Sequence, residues 1–218
     1  DGGVKAEDTY AYRCAERARD FIERYQDEDF FLVVSFDEPH GPSLCPEPFA
    51  SMYKDYEFPV SDNVRDTLED KPSYQRVWAG GALEQDRSDF HLKAPLLLGS
   101  NSFMDHEIGR VLEVADEVLD EETLMIYTSD HGDAMGAHRL FAKGPSVYDA
   151  IAHIPLIYRL PGRIEAGSVY EGPASHIDFV PTLLEYYDLP KASWTEGVSI
   201  WDSLDDPSVQ VRDKAFIE

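Results

Sequence analysis

The sequence predicts an α/β fold of three layers, in which helices flank a mostly parallel sheet. Two amphipathic helical stretches are each followed by a short apolar run, Phe30–Phe36 and Thr123–Ser129. Alternation of helices and strands is typical of parallel sheets. Ligand sites in such sheets lie at the carboxyl ends of the strands, so the loops Asp37–Pro42 and Asp130–Gly132 are the first candidates for a site. Each of these loops holds a histidine.

The composition limits the class of protein. Hydrophobic residues make up 43% of the 218 residues and aromatic residues 12%, which is enough for a sizeable core and argues against disorder. Asp and Glu number 43 against 19 Lys and Arg, a net charge of −24. Such a surface repels nucleic acid and anionic membranes, so neither is an expected partner. A bound anion would need local positive charge, which a metal ion supplies. A solvated or salt-adapted surface is the alternative explanation of the charge.

The chain has no apolar stretch of 18 residues and no leader peptide at its start, so we expect a soluble protein without a membrane span. The sequence indicates no compartment. Its two cysteines, Cys14 and Cys45, are too few for a disulfide scaffold. Cys14 lies in a helical pattern and is expected to be a small buried group.

The first half of the chain predicts a helix, a strand and a long irregular excursion. Apolar residues at three- and four-residue steps predict the helix from Thr9 to Gln26. The aromatic and β-branched content of Phe30–Phe36 favours a strand buried on both faces. Residues 43 to 95 are rich in Pro, Asp and Tyr and predict little regular structure. Loops of this length in compact domains are usually functional.

The second half predicts a helix from Leu96 to Leu119, a strand at Thr123–Ser129 and a third strand from Ile154 to Leu160. Ser175–Asp178 matches a capping box, which we expect to open a helix from Phe179 to Tyr187. Residues 190 to 218 hold many acids and show no clear pattern.

Asp130 and His131 leave the second predicted strand together and are followed by Gly132. A carboxylate oxygen and an imidazole nitrogen are both metal ligands, and glycine permits the sharp turn that brings them to one ion. The alternative is a turn in which the aspartate caps a helix. Spacing alone does not separate these two interpretations.

Three more residues carry possible chemistry. His40 lies in a Pro-rich loop and suits an acid, a base or an anion donor, although a loop histidine bonded to a backbone carbonyl is the alternative. Lys143, in a Gly/Pro loop, suits an oxyanion contact or is a surface lysine. His138, five residues after Asp133, faces either the site or solvent.

Several motifs resemble the sulfatase family of the alkaline phosphatase superfamily. The segment Met125–Gly132, followed by Gly136-Ala137-His138 and Lys143-Gly144, is similar to the family pattern I-x-T-S-D-H-G-x-x-x-G-x-H…K-G. The run that leads to Pro39-His40 is a second match. Further matches of a structural kind occur in family order between about Ala11 and Tyr187, at residues 108–112, 154–157 and 181–184.

This resemblance implies a sulfuric ester hydrolase that acts on a small-molecule sulfate ester and uses a divalent cation, calcium or magnesium. Asp130 and His131 resemble two ligands of that cation, although many relatives have Asn at the second position. His40 resembles the histidine that contacts the ester and protonates the leaving oxygen. Lys143 resembles the lysine that neutralises the sulfate oxygens. His138 resembles a histidine that lines the pocket in part of the family.

The chain also departs from the family pattern. Sulfatases carry Cys or Ser in C-x-P-x-R or S-x-P-x-R, and that residue is oxidised to formylglycine, whose hydrate attacks sulfur. Cys14 is followed by Ala-Glu-Arg and Cys45 by Pro-Glu-Pro-Phe, so neither fits. The paired aspartates of the family's first strand have no counterpart either. We therefore expect formylglycine and the rest of the metal site in an N-terminal part that this chain lacks.

The expected domain organisation follows from this departure. Residues 1–189 would be the C-terminal part of a sulfatase catalytic domain, residues 190–218 a partial C-terminal segment, and the alkaline phosphatase-like fold incomplete. We expect the 218-residue chain to be inactive by itself. The alternatives are a phosphonate or phosphate ester hydrolase of the same superfamily and a non-catalytic pseudoenzyme.

Overall fold

The computed structural model describes residues 3–215 and 217. Its helices and strands are α1 (Tyr10–Tyr25), α2 (Phe49–Met52), α3 (Ser73–Ala79), α4 (Pro95–Val118), β1 (Met125–Thr128), α5 (Asp149–Ala152), β2 (Leu156–Arg159), α6 (Phe179–Tyr186) and α7 (Trp201–Asp205). Short 3-10 helices lie at Ala6–Asp8, Asp62–Arg65, Gly80–Leu83, Ala137–Arg139 and His176–Asp178. None of the helices in the described ranges has the length and apolar character needed to span a bilayer.

The chain divides into two compact units. Unit 1 contains the residues up to Asp120 together with Gly136–Leu140, and unit 2 contains Glu121–Met135 and the residues from Phe141 onward. The predicted long helices are confirmed as α1 and α4 in unit 1. The second and third predicted strands are confirmed as β1 and β2 in unit 2.

Unit 1 is built on the packing of α1 against α4. The side chain of Thr9 caps α1 by accepting the N–H of Tyr12 at 3.2 Å. Buried small residues then recur along one face of α1, and Phe103 of α4, 1% exposed, packs into a cluster with Ala11. Alanines leave room for a neighbouring helix to approach, so the amphipathic pattern that predicts α1 also explains its partner.

An ion pair reinforces this helix contact. Arg110 of α4 contacts the carboxylates of Glu16 on α1 and of Glu107 on its own helix. The Glu107 side chain is only 2% exposed, so its charge requires the guanidinium nearby. Desolvation lowers the pKa of Arg110, but the bonds and charges of the two glutamates raise it by a larger amount. The pKa of Arg110 therefore lies above its ordinary value.

The run Phe30–Phe36 is not a strand, which corrects the prediction. Its side chains alternate between half-buried and exposed, and Phe31 and Val33 are 68% and 72% exposed. A strand requires hydrogen bonds to a neighbouring strand, and the sheet within the described ranges consists of β1 and β2 alone. The run therefore has the period-two exposure of a strand without the pairing of one.

The half-buried side of this run lies along α1. The thiol of Cys14 donates to the carbonyl oxygen of Ser35 at 3.3 Å, and Glu38 accepts the N–H of Ala11 at 3.0 Å. The sequence predicted that Cys14 is buried, but the residue is half-buried and hydrogen-bonded. Cys45 is buried. These bonds fix the start of the loop that carries His40.

The sheet of unit 2 is antiparallel, whereas the sequence predicted mostly parallel strands. Thr128 at the end of β1 lies opposite Leu156 at the start of β2, and Met125 lies opposite Arg159. A parallel pair needs a crossover that returns the chain to the other end of the sheet. The segment between these strands contains only the single-turn helix α5 and the 3-10 helix Ala137–Arg139, and β2 begins beside the end of β1.

The C-terminal part of unit 2 is organised by a buried carboxylate. Ser175 and Asp178 form the predicted capping box at the 3-10 turn that leads into α6. The Asp178 side chain accepts the N–H groups of Ser175 at 2.8 Å and Val198 at 3.0 Å, and it contacts the guanidinium of Arg212. Asp178 is 1% exposed, so three donors satisfy a charge that water does not reach. One side chain thereby joins α6 to the segments near residues 198 and 212.

We expect Asp178→Ala to lower the free energy of unfolding of unit 2 by about 3 kcal/mol, because it leaves a mostly buried guanidinium and two N–H groups without their acceptor. Denaturant unfolding followed by tryptophan fluorescence measures the loss. Glu171→Ala, at an exposed position of the same unit, is the control and should change stability by less than about 0.5 kcal/mol. Equal stability of the two variants would contradict the proposed importance of Asp178.

Candidate functional site

The turn that follows β1 is held by local hydrogen bonds. The hydroxyl of Ser129 donates to the carbonyl oxygen of His131 at 3.1 Å, and the N–H of His131 donates to Oδ1 of Asp130 at 2.9 Å. On the far side of the turn, the N–H of Gly132 donates to the carbonyl oxygen of Ile151 at 2.8 Å. The backbone therefore presents the side chains of Asp130 and His131 in one arrangement.

Gly132 is required by this arrangement for steric reasons. A Cβ at this position would lie 2.1 Å from the carbonyl oxygen of Ala150, which is backbone and cannot move alone. The sequence predicts a sharp turn at this glycine, and the structure shows that the close approach of α5 also requires it.

The side chains of Asp130 and His131 lie beside each other. Nε2 of His131 is 3.4 Å from Oδ2 of Asp130, and the two side chains are 36% and 82% exposed. Nδ1 of His131 lies 2.8 Å from the carbonyl oxygen of Gly132, which only accepts, so Nδ1 carries the hydrogen. Nε2 is then the ring atom that faces the carboxylate of Asp130.

This donor pair fits part of a cation shell. Two ligand atoms about 2.4 Å from an ion and at right angles to each other are about 3.4 Å apart, which matches the observed separation. Oxygen sites for calcium use about six donors or more. Within residues 3–215 and 217, no group of three or more His, Cys, Asp and Glu side chains is placed to hold a metal ion. The two side chains therefore offer fewer donors than such a site uses.

The charge state of Asp130 suits a ligand. Desolvation raises the pKa of this carboxyl. The N–H and the charge of His131, together with the hydroxyl of Ser129, lower this pKa by more than desolvation raises it. The pKa of Asp130 thus lies below its ordinary value of 3.8, so the side chain is a carboxylate at neutral pH.

Lys143 lies on a loop that returns toward this turn within unit 2. The N–H of Ala134 donates to the carbonyl oxygen of Ala142 at 2.9 Å, which brings the residue before Lys143 next to the chain that follows Asp133. The Lys143 side chain is exposed. An exposed ammonium on an anchored loop is available to a bound anion.

His40 lies in unit 1 on the loop after Phe30–Phe36. Its backbone N–H donates to Asp37, and its Nδ1 lies 3.0 Å from the carbonyl oxygen of Gly41. This contact is the bond to a backbone carbonyl that is the alternative interpretation of this histidine. The residue is exposed, so the contact does not remove it from solvent, and its catalytic role stays a prediction.

His138 also lies in unit 1, where it pairs with the long excursion. Its Nδ1 is 2.8 Å from Oδ2 of Asp66, and the two side chains are about one-fifth exposed. The neighbouring Arg139 donates to the carbonyl oxygens of Asp66, Ala82 and Gln85. Both His138 and Arg139 have positive φ angles, 53° and 60°. Strained backbone of this kind persists where surrounding contacts impose it, and these contacts do so here.

One residue near the Asp130 turn, His176, was not predicted from the sequence to belong to the site. Nε2 of His176 lies 3.4 Å from the hydroxyl oxygen of Thr128, the last residue of β1. His176 belongs to the capping box that was predicted correctly, but the box explains only Ser175 and Asp178. A histidine inside a capping box, with no part in the capping itself, is the signal that was available.

Comparison with known proteins relates the whole arrangement to one family. A family model described as Sulfatase matches residues 5–189. A protein of Escherichia coli (strain K12), described as uncharacterized sulfatase YidJ, is 40% identical over 194 residues, which are 88% of this chain and 39% of that protein.

Two solved structures share the fold. The structure of BT4656 in complex with its substrate D-glucosamine-2-N,6-O-disulfate matches 93% of this chain. The match covers 53% of the BT4656 chain, with a TM-score of 0.79 and 20% identity. A phosphonate monoester hydrolase from Silicibacter pomeroyi matches 93% of this chain and 42% of its own, with a TM-score of 0.76 and 25% identity. The chain thus spans roughly 40–50% of the length of these proteins.

We expect the Asp66–His138 pair to make the stability of unit 1 depend on pH. Burial raises the pKa of Asp66, but the bonds from His138 and from the N–H of Leu68, with the charge of His138, lower it below 3.8. A carboxyl with a lowered folded pKa contributes stability that is present above its unfolded pKa, about 3.9, and is lost as the pH falls through the folded value.

The free energy of unfolding of the wild type should therefore fall more steeply below about pH 4 than that of Asp66→Asn. Denaturant unfolding over a pH series measures the two slopes. Glu69→Gln, at a neighbouring exposed position, should keep the wild-type slope. An unchanged slope in Asp66→Asn would refute the pairing.

Proposed function

Because the chain belongs to the sulfatase family, we propose that it is the C-terminal part of the catalytic domain of a sulfuric ester hydrolase. The observation that carries this proposal is the turn after β1, where Asp130 and His131 place an oxygen and a nitrogen donor 3.4 Å apart. Residues 1–189 would belong to the catalytic domain, and residues 190–218 would be part of a C-terminal segment.

Asp130 and His131 would hold a divalent cation, calcium or magnesium, together with donors from the rest of the protein. Such a cation polarises an ester and favours the ionised form of an attacking hydroxyl. The Gly132 backbone and the Ser129 hydroxyl keep the two ligands in place, so little reorganisation accompanies binding. Lys143 would offset the negative charge on the oxygens of a bound sulfate group.

Two further roles are proposed for the histidines of unit 1. His40 would donate a proton to the bridging oxygen as the alcohol leaves, which its exposed position on an anchored loop permits. His138 would line the pocket, with its ring held in one orientation by the bond to Asp66. Its bonded neighbour Arg139 would hold the excursion that selects the alcohol portion.

The rest of the fold would lie in the remainder of the full-length protein. The exposed side of Phe31 and Val33 has the alternation of a strand face and would pair and pack within a larger, mostly parallel sheet flanked by helices. The formylglycine nucleophile would come from the part of the full-length protein that lies N-terminal to these residues. The substrate would be a small-molecule sulfate ester, recognised against a chain of net charge −24 by the cation and Lys143.

Hydrolysis of a phosphonate or phosphate ester is the second candidate function. The specific support is the similarity to the phosphonate monoester hydrolase of Silicibacter pomeroyi, at a TM-score of 0.76 and 25% identity. Both reactions use an anion pocket and a cation, so the residues of this chain serve either substrate. The relative kcat/KM for a 4-nitrophenyl sulfate and a 4-nitrophenyl phosphonate ester decides between them.

We expect the full-length protein to hydrolyse an aryl sulfate in the presence of calcium and the 218-residue chain to show no turnover, because a covalent step requires the nucleophile. Lys143→Ala in the full-length protein should lower kcat/KM by about 10²-fold, since it removes a charged contact to the reacting group. Lys191→Ala, an exposed lysine outside the proposed site, is the control.

Clear turnover by the 218-residue chain would overturn its assignment as a part of the active site. A full-length protein that hydrolyses neither ester under these conditions would support the pseudoenzyme alternative instead.

We expect the 218-residue chain to bind calcium weakly, with a Kd of about 1 mM or higher, because two donors are far from the usual six or more. The full-length protein should bind at least tenfold more tightly, and Asp130→Ala should abolish binding in both. Isothermal titration calorimetry measures these affinities, with Asp149→Asn as an exposed control. Calcium binding that survives in Asp130→Ala would exclude this turn as the cation site.

A further inference from the structure

The end of β1 is fixed by a contact that the proposed function does not use. The hydroxyl of Thr128 donates to the carbonyl oxygen of Pro155 at 2.9 Å, which ties the last residue of β1 to the chain that enters β2. A hydroxyl has one hydrogen and two lone pairs. With its hydrogen directed to Pro155, the oxygen can only accept from Nε2 of His176, 3.4 Å away. His176 therefore carries a hydrogen on Nε2 and donates it to Thr128.

The ring of His176 is itself held in place. It stacks on Phe179, with 5.5 Å between ring centroids and 27° between planes, and Phe179 contacts the ring of Tyr158 on β2. The backbone of His176 lies inside the capping box whose carboxylate, Asp178, is 1% exposed. The imidazole thus projects from a rigid support.

The position of Thr128 links this support to the candidate site. Thr128 is the last residue of β1, and the Asp130–His131 turn starts immediately after it. On its other side, the turn is fixed by the bond from Gly132 to Ile151. The contact from His176 to Thr128, together with the bond from Thr128 to Pro155, therefore holds the strand side of a turn that is fixed at both ends.

We propose that His176 is a positioning residue for the Asp130–His131 turn and that it acts through the hydroxyl of Thr128. This inference rests on the proposed function, because it concerns the ligands of the proposed cation. His176 does not itself need to touch the cation or the ester. Its effect is to keep the strand end, and with it both ligands, in the geometry that binds the ion.

The test uses the full-length protein and two readouts, the Kd for calcium by calorimetry and kcat and KM with an aryl sulfate. His176→Phe keeps a ring on Phe179 and removes the N–H, and Thr128→Val removes the hydroxyl at nearly constant shape. Each variant should weaken calcium binding about tenfold, and saturating calcium should restore most of kcat with KM unchanged. The double variant should bind calcium no more weakly than Thr128→Val alone, because Thr128→Val already removes the contact with His176 together with the bond to Pro155.

Conservative variants and a neighbour serve as controls. Thr128→Ser keeps the hydroxyl and His176→Gln keeps a donor, so both should retain calcium binding within about twofold to threefold of the wild type. Ile177→Ala alters an exposed side chain on the same 3-10 turn and should leave both readouts unchanged. If His176→Phe folds poorly, His176→Leu, which also lacks a donor and leaves the bond from Thr128 to Pro155 in place, tests the contact instead.

Three outcomes would overturn the inference. Unchanged calcium affinity in both single variants would show that the contact does not position the ligands. A raised KM with unchanged calcium affinity would make His176 a substrate contact instead. Additive losses of calcium affinity in the double variant would show that His176 does not act through Thr128.

The variant Asp130→Ala separates a failure of this inference from a failure of the proposed function. If Asp130→Ala abolishes calcium binding while His176→Phe leaves the affinity unchanged, only the inference fails. If Asp130→Ala also leaves the calcium affinity unchanged, the proposed function fails with it.

Discussion

The antiparallel pairing of β1 with β2 is the constraint on which the candidate site of unit 2 depends. Because Thr128 lies opposite Leu156, the chain leaves one strand where it enters the next, and the Asp130–His131 turn is bounded by both. The bonds from Thr128 to Pro155 and from Gly132 to Ile151 then restrict the turn from two directions. Charged side chains on so short and exposed a segment would otherwise sample many arrangements.

The elements that were predicted correctly are those whose signals are local. The apolar periods of α1 and α4 lie within the helices themselves, and the capping box at Ser175 spans four residues. Strand pairing depends on residues far apart in the sequence, so the antiparallel pairing of β1 with β2 was not predicted. The run Phe30–Phe36 was read as buried on both faces because apolar composition does not report which face finds a partner.

The candidate site divides in the same way. Asp130, His131 and Gly132 could be recognised from the sequence because they are adjacent, and their spacing fixes their contact. The partner of His138 lies 72 residues away at Asp66, and His176 lies 48 residues from Thr128. No periodicity joins such positions. The family resemblance supplied roles for the matching residues, but it gave no reason to consider His176, whose contact is visible only in three dimensions.

The apolar face of the run Phe30–Phe36 has a practical consequence for the isolated chain. Phe31 and Val33 present two-thirds or more of their surface to solvent on an extended segment outside the sheet. Extended segments of this kind act as templates for pairing with other chains and promote aggregation. The high negative charge of the chain opposes such association through electrostatic repulsion. Its solubility should therefore decrease as salt is added, because screening removes the repulsion and leaves the apolar face unchanged.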